Sequence, residues 1–169
     1  MRGLGACGAA AVALVLASAA PLRAQLTEGP RLAAVYDDIL DARFDRAAAA
    51  LKAACPPAPA EACRAVGAAS LWWQILIDPE GRRLDSALER AAAEAIDASL
   101  AWTAREPRRA EAWFYLAGSY APRVQLRALR GSDISAARDG ARIKDALERA
   151  LALDPTLGDA YFGLGLYHY

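Results

Sequence analysis

Proline and glycine punctuation recurs along this chain at intervals that suit single helices, and it limits the fold more than any other feature. Asp78-Pro79-Glu80-Gly81, Glu106-Pro107, Gly131-Ser132-Asp133 and Asp154-Pro155 each close one apolar stretch and open another. Proline lacks a backbone donor and drives the preceding residue out of helical geometry, so each cluster is a boundary. The runs between boundaries are rich in Ala, Leu, Arg and Glu, a composition that favours helix and has little strand propensity. An all-α protein of about seven helices is expected, with almost no sheet.

Two short helices cover Arg31–Asp41 and Phe44–Ala54, meeting at Ala42-Arg43, and a third covers Ala60–Ile77 with Val66, Ala69, Ser70, Trp73 and Ile77 on one face. The fourth opens at Ser86-Ala87-Leu88-Glu89, which fits a capping box, and directs Leu88, Ala92, Ala95, Ile96 and Leu100 to a core. The fifth starts near Arg109, the sixth after Gly131-Ser132-Asp133 and the seventh after Asp154-Pro155. Pro122 falls inside the fifth and is expected to kink or divide it. The seventh pattern still runs at Tyr169 with no capping residue after it, so the helical array is expected to continue beyond that residue.

Residues 1–24 read as a secretory signal, with Arg2 ahead of an apolar run from Gly8 to Ala20 and a cleavage site between Ala24 and Gln25. That run of 13 residues is short of the roughly 20 that span a bilayer, so no membrane anchor remains after cleavage. Leu4-Gly5-Ala6-Cys7 resembles a lipoprotein box but precedes the apolar run instead of following it. Residues 25–169 then form one helical domain in the periplasm or outside the cell. Setting aside Arg2 and Arg23 leaves 18 basic against 20 acidic side chains, which gives no bulk attraction to nucleic acid or to an anionic membrane. Cys55 and Cys63 flank a segment with three prolines, and in an oxidising compartment a bridge between them is expected, the alternative being two unpaired small residues.

Ala110-Glu111-Ala112-Trp113-Phe114-Tyr115-Leu116-Ala117-Gly118-Ser119-Tyr120 is the strongest local pattern, with Trp113, Leu116, Ala117 and Tyr120 at its diagnostic places. It recurs as Gly158-Asp159-Ala160-Tyr161-Phe162-Gly163-Leu164-Gly165, where Tyr161, Leu164 and Gly165 match and His168 stands for the last Tyr. Both blocks follow a helix that ends in a proline. The pattern resembles the first helix of a tetratricopeptide repeat, and the chain is similar in its overall run to the N-terminal part of exported bacterial tetratricopeptide-repeat proteins. Pro107 and Pro155 are 48 residues apart, against about 34 in the standard repeat, which implies longer helices or an insertion.

That resemblance implies a solenoid of helix hairpins that binds a protein or peptide segment on its concave side. Carried onto the two blocks, it puts Glu111, Phe114, Gly118, Asp159, Phe162 and Leu166 in the groove, while Trp113, Leu116, Tyr161 and Leu164 face inward. Phe114 and Phe162 are then aromatic anchors, Glu111 and Asp159 select basic or amide groups, and Gly118 permits close approach. The alternative is that both Phe residues pack between hairpins. The unpaired apolar seventh helix also suggests self-association.

Catalysis finds no foothold in these residues. His168, next to the last residue, is the only histidine, and no phosphate loop, metal-ligand spacing or cofactor motif occurs. Asp37, Asp38, Asp41 and Asp45 read as a solvated helix face, and Trp72-Trp73 as one core and one interface residue. A non-enzymatic scaffold or adaptor of the bacterial cell envelope is expected; the helical accessory region of a longer envelope enzyme is the alternative.

Overall fold

The computed structural model describes residues 26–168, with side chains through Leu166; the leader and the expected cleavage after Ala24 lie outside them. Among the described residues the chain forms seven helices and no strand: α1 Gly29–Leu40, α2 Phe44–Ala54, α3 Ala60–Ile77, α4 Asp85–Arg105, α5 Ala110–Leu129, α6 Asp133–Leu153 and α7 Gly158–His168. The breaks coincide with the proline and glycine clusters. Ala42 at φ 58 and Gly131 at φ 73 supply the left-handed residues that end α1 and α5.

Each helix packs on the next, and α1 also packs on α3 and α3 on α5. Close approach rests on small side chains, since Ala62, Ala68, Ala92, Ala95, Ala112 and Ala150 are fully buried. The core is a chain of apolar clusters instead of one centre. Ile96, Leu116, Tyr120, Leu147 and Leu157 form the largest, between α4 and α7. Trp102 and Tyr115 anchor the cluster that joins the α2–α3 link to α5.

The bridge between Cys55 and Cys63 is formed and ties the end of α2 to the first turn of α3 around the proline segment. Three polar contacts stitch the interior. Asp139 of α6, 1% exposed, accepts from Arg123, Arg127 and Arg142. Ser99 and Ser119 lie 3.1 Å apart between α4 and α5, and Ser119 also donates to the Tyr115 carbonyl at 2.7 Å. Arg130, just past α5, donates to the carbonyls of Pro79 at 2.6 Å and Gly81 at 2.7 Å and to the Asp85 carboxylate at 2.8 Å.

Several expectations need correction. Asp38 is buried and paired, accepting from Arg43 at 2.9 Å and facing Arg46 at 3.1 Å, so only Asp37, Asp41 and Asp45 form a solvated face. Leu100 is 44% exposed while Ser99 is fully buried, because Leu100 lies about 100° round the helix from the centre of the buried stripe. On α3 the buried set is Ala62, Ala65, Val66, Ala68, Trp72 and Ile75, whereas Ile77 is 68% exposed. In a helix that is apolar nearly all round, periodicity does not fix the inward phase; the neighbouring helices do. Trp73, half-buried, donates to the Tyr36 hydroxyl at 3.2 Å.

The capping box is not formed. α4 starts at Asp85 with Leu84 at its N-cap, so Ser86 is already the second helical residue and no side chain caps the helix; Asp85 is engaged by Arg130 and Glu89 by Arg127. Pro122 is buried within an undivided α5. The donor it lacks would have bonded the Gly118 carbonyl one turn earlier, so α5 runs through this point with one backbone hydrogen bond fewer. Tyr161, expected to face inward, is 55% exposed, since α7 packs chiefly on α6 and no described element covers its other side.

Candidate partner-binding surface

The first turn of α5 is the most heavily wired part of the surface. Arg109, at its N-cap, donates to Glu111 from Nε at 3.0 Å and from a terminal nitrogen at 2.6 Å, and to Glu106 at 3.0 Å. Its guanidinium lies 5.1 Å from the Trp102 ring centre, and Trp102 donates its indole N–H to Glu106 at 2.8 Å. The hydrogen bond to Glu111 raises Arg109 above its ordinary range, and the one from Arg109 holds the Glu106 carboxyl below its own.

Glu111 is buried, and it also accepts from the chain's own N-terminal side. The Thr27 backbone N–H donates to one carboxylate oxygen at 2.7 Å and the Thr27 hydroxyl to the other at 3.0 Å. Arg109 in turn donates to that hydroxyl at 3.0 Å. Next to it, Leu26 packs against the two core clusters on which Phe114 also packs.

The expected groove residues therefore divide into two groups. Glu111 and Phe114 meet around the start of α5, where Phe114 is half-buried with its ring edge-to-face to Tyr115 at 5.3 Å. Gly118 lies on the same helix, and a Cβ there would meet nothing within 4 Å. Asp159, Phe162 and Leu166 lie on α7 at spacings of three and four, hence on one face, and all three are exposed, Phe162 at 72%. One link joins the groups: burial pushes the Tyr115 phenol well above its usual range, and both Glu111 and Asp159 add to that rise.

Thr27, Arg109 and Glu106 were not singled out from the sequence. Glu106 and Arg109 sit on either side of the turn between α4 and α5, and Thr27 lies 84 residues from its partner, so no helical spacing marks any of the three. No group of three or more His, Cys, Asp or Glu capable of holding a metal occurs among the described residues, and none of their helices is long and apolar enough to cross a membrane. The chain matches no family model, no curated protein and no solved structure.

Proposed function

We propose that this chain is an exported helical-repeat adaptor of tetratricopeptide type, which holds a partner protein's segment along its odd-numbered helices and performs no catalysis. The observation that carries the reading is the packing order: α1 meets α3 and α3 meets α5, while α2, α4 and α6 each pack between sequence neighbours. Hairpins stacked in this way make a row of first helices, and a row of that kind offers an extended binding face. The Cys55–Cys63 bridge is in keeping with an oxidising compartment.

On this reading the accessible anchors are Phe162 and Leu166 on α7, with Asp159 beside them to select a basic or amide group. Phe114 has a second role, because it fills space between core clusters. The test is affinity capture from an envelope extract. Phe162→Ala with Leu166→Ala should lose a partner that the parent holds, by about 1–2 kcal/mol per anchor, at unchanged helicity. Phe114→Ala should instead melt earlier. Capture of the same proteins by the parent and by the α7 double variant would refute the adaptor reading.

A further inference from the structure

We infer that Arg109, Glu111 and Phe114 form a seat for a segment in which an apolar residue precedes a threonine or serine, and that the chain's own Leu26-Thr27, at the start of a turn into α1, fills it. This deepens the adaptor reading and rests on it, because Glu111 and Phe114 are residues that the repeat pattern directs to the groove. Three features of the contact are those of recognition. A main-chain N–H is read by Glu111 at 2.7 Å, which fixes the position of the backbone whatever its side chain. The hydroxyl both donates, to Glu111 at 3.0 Å, and accepts, from Arg109 at 3.0 Å. An apolar residue of the same shape would leave both of those groups short of a partner. Leu26 supplies the third feature, apolar burial against the clusters that Phe114 packs on.

The receiving side is held without help from the segment. Glu106 and the Trp102 ring fix Arg109, and Arg109 fixes Glu111 through two hydrogen bonds. A preorganised charged pair of this kind loses little freedom when a ligand arrives. Leu26 and Thr27 precede α1, which begins at Gly29, so the occupant can leave by breaking one turn hydrogen bond, from the Gly29 N–H to the Leu26 carbonyl at 2.8 Å, with the helix left intact. Joined to the fold through so short a link, it has an effective concentration on the order of millimolar. A partner segment of the same chemistry must outcompete it, which makes the seat a gate on binding.

The test uses the full chain and, as probe, a fluorescent acetylated peptide copying residues 25–30, Gln-Leu-Thr-Glu-Gly-Pro, followed by anisotropy. The parent should bind it weakly, and the Leu26→Ala/Thr27→Ala variant about tenfold or more tightly than the parent. Adding Glu111→Gln, or replacing the peptide's threonine with valine, should reverse that gain. If the double variant loses helicity, Thr27→Ala alone, which keeps the Leu26 packing, takes its place. Absence of peptide binding by a folded variant, or binding indifferent to Glu111→Gln, overturns the inference. So does loss of helicity in both variants, which would identify Leu26-Thr27 as core. Partner capture through Phe162 and Leu166 is read separately, so the seat can fail while the adaptor reading stands.

Discussion

Removing the Asp139 carboxylate should be among the most damaging single changes in this fold. Arg123 binds it through two nitrogens, at 2.8 and 3.2 Å, with Arg127 at 2.8 Å and Arg142 at 3.0 Å. The Arg123 and Arg142 guanidiniums also lie 5.3 and 5.6 Å from the Tyr120 ring centre, so the carboxylate organises the whole α5–α6 seam. In Asp139→Ala, Arg127 and Arg142 can turn to water, their side chains being 26% and 50% exposed; Arg123, at 13%, cannot. One uncompensated buried charge costs about 3–5 kcal/mol. With two of the three arginines relaxing, the lower end applies, about 3 kcal/mol. For a chain of this size that is roughly 10 °C in melting temperature, or about 1.5 M in the urea midpoint. Far-UV circular dichroism through a urea titration reads it directly, with Asp97→Ala as the exposed control. Because the cluster is shielded from solvent ions, the loss should persist in 1 M salt, where Debye screening is about 3 Å. A loss below about 0.5 kcal/mol, the usual range for surface substitutions, would refute the idea that Asp139 holds the seam.

Three further outcomes are expected. Since the folded Tyr115 phenol stays protonated above its ordinary pH, the unfolded state carries fewer protons once pH passes about 10, and stability falls as pH rises from there. Tyr115→Phe should flatten that decline in urea melts between pH 9 and 11, and parallel declines would contradict the assignment. The two α7 glycines should respond in opposite directions: a Cβ at Gly163 comes 2.8 Å from Leu147 Cδ1, whereas one at Gly165 meets nothing within 4 Å. Gly163→Ala should therefore cost about 1 kcal/mol by overpacking and Gly165→Ala should add a few tenths through helix propensity; thermal melts that move together would count against the α6–α7 contact. Reduction of Cys55–Cys63 should expose two alkylatable thiols and cost about 2–3 kcal/mol for a loop this short; cysteines that alkylate without prior reduction would show the bridge absent from the protein.

Helix count and boundaries were legible because they depend on local chemistry. The α2 and α3 limits fall where the prolines put them, and Gly131 ends α5 for the reason any left-handed glycine ends a helix. Inward phase was not legible on α3, where Trp72 and Trp73 are equally apolar and only the packing of α4 and α5 separates them. The two repeat blocks give the same message from the other side: Phe114 and Phe162 hold equivalent places, yet one packs on two clusters and the other is exposed, because α5 has neighbours on both sides and α7 chiefly one. The Thr27–Glu111 and Arg123–Asp139 contacts depend on tertiary closure, and no periodicity encodes them.

Arg130 has a consequence for the lifetime of the protein. The α3–α4 turn carries two exposed basic residues, Arg82 and Arg83, the kind of site that a trypsin-like protease cuts if it can draw the backbone into an extended shape. By holding the carbonyls of Pro79 and Gly81 from 51 and 49 residues further along the chain, Arg130 keeps the approach to that dibasic pair folded on itself. Cleavage there requires local opening, at a rate that follows the opening equilibrium. The end of α5 thus governs how long α1, α2 and α3 stay joined to α4 and the rest of the chain wherever proteases are abundant.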